Sequence, residues 1–241
     1  AAVNLTVNGR KDQIRYQRRL AMETEEERED GIDMSKPQFF GVYGEWTKKG
    51  GVARIDPGKA GAKSVLWGDA AFNRLSRAKN ADVLVYMKET RAEAPNFYAT
   101  TSAFGDGRKI SDAVPDQKNF AWSSDAMLLE YTSDKGRKLT GSLFLPANYE
   151  KGKKYPMVVY IYERLTQGHN TYARPTQNGF NRSVYTSNGY AVLMPDITYH
   201  VNDPGMSAVW SVVPAVKAAI ATGIVDEKNV GLQGHSWGGY Q

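Results

Sequence analysis

The sequence predicts an α/β domain preceded by all-β structure. Three observations predict it. Gly234-His235-Ser236-Trp237-Gly238 has the spacing G-x-S-x-G and follows a short apolar strand, Asn229 to Gln233. Two nearly continuous apolar runs, Pro156 to Tyr162 and Gly189 to Asp196, have the pattern of strands buried on both faces. Between Gln38 and Tyr131, short β-prone runs recur with Gly, Pro, Asp and Asn between them.

Composition narrows the classes. The 241 residues are 41% hydrophobic, enough for one or two domains with their own cores. No run of 18 apolar residues occurs, so no membrane span is expected, and the first residues lack the basic start and apolar segment of a signal peptide. The absence of cysteine excludes disulfides, thiolate metal sites and a cysteine nucleophile. The net charge of +5 is spread out, with no basic stripe interleaved with aromatics, so no nucleic-acid partner is expected. His169, His200 and His235 lie in no metal-binding pattern, and no metal is expected.

Residues 1–37 read as a charged helix or loop. Arg10 to Arg19 is basic, Glu23 to Asp30 is acidic, and Gly31 and Pro37 close the segment. Carboxylates such as Glu25 to Glu27 can hold a peptide's amino terminus, but a solvated charged face is the reading preferred. The β rhythm then runs through Phe39–Gly44, Gly51–Asp56, Asp82–Lys88, Asn96–Thr101, Phe120–Trp122 and Ala126–Tyr131. Propeller blades take about 40–45 residues each, so the stretch holds roughly two to three. A closed propeller has at least about four. A small β-sandwich is the alternative.

From Lys138 the rhythm changes. Leu139 to Pro146 reads as a strand closed by proline, and the two apolar runs follow. Ser211 to Thr222 reads as a helix with Pro214 in its first turn and Gly223 after its end. Val212, Val216, Ala219 and Ile220 form its apolar face. The strand into Gly234 comes next. This is the order of the first half of an α/β-hydrolase sheet, with the nucleophile elbow at residues 234–238. In such an elbow Ser236 sits at the apex of a sharp strand-to-helix turn, and the Trp237 N–H points at a developing oxyanion.

On these residues the chain resembles the prolyl oligopeptidase family of serine peptidases, which includes dipeptidyl and acylaminoacyl peptidases. The resemblance rests on Gly-His-Ser-Trp-Gly-Gly-Tyr at 234–240, on Tyr155-Pro156 opening a strand that ends at Tyr162, and on the order of segments, with Val225-Asp226 before the last strand. It covers roughly residues 38–241 and is specific from 139 onward. It implies a C-terminal part of a β-propeller over 1–135 and the N-terminal half of an α/β-hydrolase catalytic domain over 136–241.

The resemblance also implies roles. Ser236 would attack a peptide carbonyl, and the Tyr162 hydroxyl would join the Trp237 N–H at the oxyanion. On its residues alone, Tyr162 reads as a core tyrosine at a strand end. Many members follow this tyrosine with glycines and a proline. Here Glu163-Arg164-Leu165-Thr166-Gln167-Gly168 follows, and Glu163 and Arg164 are candidate substrate-binding residues at the rim.

Acyl transfer by serine needs a histidine base and an orienting carboxylate. In α/β-hydrolases they follow the serine, and only five residues follow Ser236 here. His235 would point away around the elbow, and His200 reads as a loop residue. Asp196 reads as a turn cap at a strand end. The triad Asp and His are therefore expected outside this chain, in a remaining C-terminal half that acts as its partner. The 241-residue chain alone is expected to be inactive. Without that half, the strands at 156–162 and 190–195 would expose one sheet edge. The expected substrate is a short peptide, and no cofactor is needed. The family's range points to a periplasm or the cell exterior. An esterase with the same elbow, or a non-catalytic propeller-based binding protein, are the alternative readings.

Overall fold

The computed structural model describes residues 4–24, 27, 31–123, 125–174 and 176–241. They divide into two compact units, Ala1–Pro115 with Asn170–Tyr172, and Asp116–His169 with Ala173–Gln241.

The first unit carries two four-stranded antiparallel sheets. After a single helical turn, α1 (Gly9–Asp12), come β1 (Ile14–Leu20), β2 (Gln38–Gly44), β3 (Gly50–Ile55) and β4 (Lys63–Gly68), paired in chain order. The second sheet is β5 (Ala71–Arg77), β6 (Leu84–Glu89), β7 (Asn96–Thr100) and β8 (Arg108–Lys109), again in chain order. Phe39, Val52, Leu75, Leu84 and Tyr86 form one buried cluster.

β1 corrects the expectation of a charged helix or loop over residues 1–37. Ile14 and Tyr16 are half-buried while Arg15 and Gln17 face solvent, the alternation of a strand. Long arginine side chains disguise that alternation, because their stems cover apolar surface while their heads stay wet. Arg15 pairs with Glu45 at 2.5 Å, and Arg19 Nε donates to Gln38 Oε1 at 2.7 Å. Glu25 and Glu26 lie outside the described residues. Glu27 accepts the Thr24 N–H and pairs with Arg77, and these bonds, the Thr24 amide first, push its carboxyl down to about 2.

The second unit holds a five-stranded mixed sheet. Its strands are β9 (Ala126–Thr132), β10 (Lys138–Phe144), β11 (Tyr155–Ile161), β12 (Ala191–Pro195) and β13 (Val225–Gly234), in the order β13-β11-β12-β10-β9. β11 pairs in parallel with both β12 and β13, and β10 pairs antiparallel with β9 and β12. The division expected at 135/136 therefore moves to 115/116. Ala126–Thr132 forms a hairpin with β10 across the turn at Gly136, whose φ is +75°. That turn punctuates one sheet and separates no domains. Phe120–Trp122 belongs to no strand. Pro115–Asn119 forms a 3-10 turn instead, and Trp122 Nε1 donates to Gln117 O at 3.0 Å.

The expected edge also moves. β11 and β12 are interior, and the strand leading into the elbow, β13, ends the order with Leu232 65% exposed. Interior position explains the unbroken apolar runs. Met157, Val159, Ile161, Val192 and Leu193 are all buried, and each such side chain contributes about 1.5–3 kcal/mol.

Alternation along β11 separates two faces. Met157, Val159 and Ile161 share a core cluster with Ala208, Val212, Ala215 and Ala219 of α3 (Pro204–Ala221). From the other face Tyr160 stacks on Phe180 at 3.9 Å, and Phe180 stacks on Tyr185 of α2 (Arg182–Ser187) at 5.3 Å.

α3 begins seven residues before the expected Ser211, with Asp203 as its N-cap and Pro204 in its first turn. Pro204-Gly205 has the look of a turn, yet proline at the first helical position loses no hydrogen bond. Pro214 thus lies inside the helix, which frees the carbonyl of Trp210. The Asp134 N–H donates to that carbonyl at 2.9 Å. In length and mean hydropathy of 1.2, α3 matches a membrane span, although it packs on the sheet, chiefly against β9, and its small residues share the core cluster.

Candidate active site

Parallel pairing brings the functional candidates together. Ile161 of β11 lies opposite Gly234 of β13, so Tyr162 and Ser236 leave adjacent strands at their carboxyl ends. Ligands bind at such ends in open α/β sheets.

Ser236 has φ +52° and ψ −116°, between β13 and the helical turn α4 (Trp237–Tyr240). Such backbone costs about 1–3 kcal/mol and persists only where its surroundings enforce it. Two glycines enforce it by closeness. A Cβ on Gly234 would stand 2.1 Å from the Gly238 carbonyl oxygen, and one on Gly238 would stand 2.1 Å from the Ile161 carbonyl oxygen. The serine is exposed. Among the described residues its hydroxyl has no side-chain hydrogen-bond partner. The Trp237 N–H is the first amide of α4, a position with no carbonyl to reach within the helix. This arrangement can present a hydroxyl to an electrophile with a backbone donor beside it.

Tyr162 is 37% exposed, not the core tyrosine its residues alone suggest. Glu163 and Arg164 follow it on the surface. The loop they begin is held from below. Asp196, 7% exposed, accepts the amides of Leu165 and Thr166 at 2.9 Å each, the Thr166 hydroxyl at 2.6 Å and the Thr140 hydroxyl at 3.0 Å. Asp196 is thus a loop cap. It anchors the segment after Tyr162 by giving two of its amides a carboxylate. The Tyr131 hydroxyl donates to the Asp196 carbonyl at 2.7 Å, and burial, with the nearby carboxylate second, pushes that hydroxyl well above its ordinary range.

A second connection was invisible in the sequence. The Tyr199 hydroxyl donates to the Tyr162 carbonyl at 3.1 Å. It accepts the Trp237 indole N–H at 2.8 Å and the Gln241 amide N–H at 2.6 Å. Tyr199 sits four residues after β12, and no motif marks it.

The histidines are dispersed. His169 is buried with Nδ1 3.0 Å from Ser142 Oγ. The His200 ring meets Trp210 edge-on at 5.4 Å, and His235 is exposed on the elbow.

No family model matches the sequence, and no curated protein does. Solved structures match its fold. The AtxE2 isopeptidase superposes with a TM-score of 0.65 at 16% identity, over 86% of this chain and 34% of its own. Porphyromonas gingivalis dipeptidyl peptidase 4 gives 0.63 at 17% identity, over 87% and 31%. The acylaminoacyl peptidase of Pyrococcus horikoshii gives 0.59 at 14% identity, over 85% and 32%. The likeness shows a shared fold and bears out the resemblance at that level. The chain spans about a third of the length of the structures it matches.

Proposed function

We propose that this chain is part of a serine peptidase of the prolyl oligopeptidase family that hydrolyses short peptides through an acyl-enzyme on Ser236. The first unit is then part of a β-propeller, its two antiparallel sheets being blades. The second is the N-terminal half of an α/β-hydrolase domain. The observation that carries the reading is Ser236 itself, exposed at φ +52° where a parallel strand turns into a helix. That the structural neighbours are named as peptidases supports a peptide rather than an ester as the substrate in this reading.

In this reading Ser236 Oγ attacks the scissile carbonyl. The Trp237 N–H and the Tyr162 hydroxyl stabilise the oxyanion as charge develops on it. Donors of this kind are worth about 10²–10³ each in rate. A histidine takes the serine proton and an aspartate orients it, both supplied by the part of the protein beyond this chain. Glu163 and Arg164, exposed after Tyr162, face the substrate at the rim. β13, with Leu232 exposed, is the edge on which further parallel strands of that part pair.

The test is fluorophosphonate labelling of the full-length protein beside Ser236→Ala. Labelling of the wild type alone, with cleavage of short peptides, is the expected result. Turnover of acyl esters without peptides would make it an esterase. No labelling of the wild type would make it a binding protein with an idle elbow.

A further inference from the structure

We propose that Tyr199 is a positioning residue that holds both arms of the oxyanion site in register, an inference that rests on the roles given above to Tyr162 and Trp237. A tyrosine hydroxyl donates one hydrogen bond and accepts two. That of Tyr199 is used to capacity, with Tyr162 O as its acceptor and Trp237 Nε1 and Gln241 Nε2 as its donors. The bond to Tyr162 reaches the backbone of the residue whose hydroxyl is one arm. The bond from Trp237 comes from the side chain of the residue whose N–H is the other.

The two arms lie on different elements, the end of β11 and the start of α4, so packing alone must otherwise set their separation. Tyr199 is well placed to set it. Its own segment is fastened to the loop after β11 twice more, by the Ile197 N–H to Glu163 O at 2.9 Å and by the Asp196 carboxylate on Leu165 and Thr166. The Tyr199 ring also meets the Trp237 ring edge-on, centroids 6.2 Å apart. One stiff segment after β12 thus carries both the loop anchor and the bridge to the elbow.

The role differs from that of a packing ring in what Tyr199→Phe would do. Phenylalanine keeps the ring contact and loses three hydrogen bonds. The bond to Tyr162 is exposed and the other two are half-buried, so water can replace a lost partner at small cost. Folding should hold while the donor geometry slackens, and misplacement of order 1 Å costs up to about 10²-fold in rate.

The experiment uses the full-length enzyme and a short-peptide p-nitroanilide. Tyr199→Phe should lower kcat about tenfold with KM and melting temperature unmoved. In a Tyr162→Phe background the same change should cost less, because the arm it positions is gone. Trp237→Phe, which removes the indole donor and part of the ring but keeps the backbone N–H, should give a smaller fall in kcat and guards against misfolding of the first variant. Wild-type kcat in Tyr199→Phe, or an equal loss in both backgrounds, would overturn the positioning role while leaving Ser236 as nucleophile. Turnover that survives Ser236→Ala would overturn the underlying reading instead.

Discussion

Asp196 and Ser236 stand just past the carboxyl ends of two strands of one sheet, and they are treated in opposite ways. Asp196 is 7% exposed and receives two amides and two hydroxyls. Ser236 is exposed, strained at φ +52°, and holds no side-chain partner among the described residues. A polar group whose hydrogen bonds are all made inside the protein stabilises the fold and has nothing left to offer a ligand. A group kept unpartnered on a costly backbone is kept for something outside the fold. Position at a strand end therefore does not separate site from scaffold, and hydrogen-bond saturation does.

The two residues should respond to substitution in opposite ways. Ser236→Ala should remove about six orders of magnitude of kcat in the intact protein, while its melting temperature stays put. Residual activity within tenfold of wild type would erase the contrast. Asp196→Ala should act chiefly on stability. It strands two amides and two hydroxyls in a buried place, for a loss of about 3 kcal/mol, read by denaturant unfolding. Unchanged stability there would mean that the carboxylate anchors nothing.

Legibility in the sequence followed the range of the forces. The elbow was legible because its glycines answer a local demand of the backbone. β11 and β12 were legible because burial on both faces writes an unbroken apolar run. β1 was hidden by arginines whose stems cover its face, and the half-exposed β4 and β5 show little alternation. The first two turns of α3 were hidden by Pro204-Gly205. Only the Asp134 amide, far away in sequence, explains why Pro214 is tolerated inside that helix. The Asp196 and Tyr199 networks join segments 30 residues apart or more, such as Thr166 with Asp196 and Trp237 with Tyr199, so no spacing rule announces them.

Gly238→Ala tests whether closeness holds the elbow. Its Cβ would meet the Ile161 carbonyl oxygen at 2.1 Å, an atom of the backbone that cannot swing aside. Overpacking of this kind costs about 1–3 kcal/mol. It should also push α4 away from β11 and lower kcat with it. Loss of stability with kcat intact would show that the turn keeps its shape without that contact.

The smallest effect belongs to the far side of the anchor. Tyr131→Phe removes one buried bond, 2.7 Å long, to the Asp196 carbonyl and leaves the carboxylate and its four donors in place. A single neutral hydrogen bond is worth about 1 kcal/mol net, somewhat more when a buried acceptor is left bare. The variant should therefore unfold about 1 kcal/mol earlier with kcat unchanged. If kcat also falls, the anchor transmits strain from β9 through Asp196 to the loop after Tyr162. The division between a saturated scaffold and an exposed, unpartnered serine would then be one of degree, because the scaffold's hydrogen bonds would set the geometry at the serine as well.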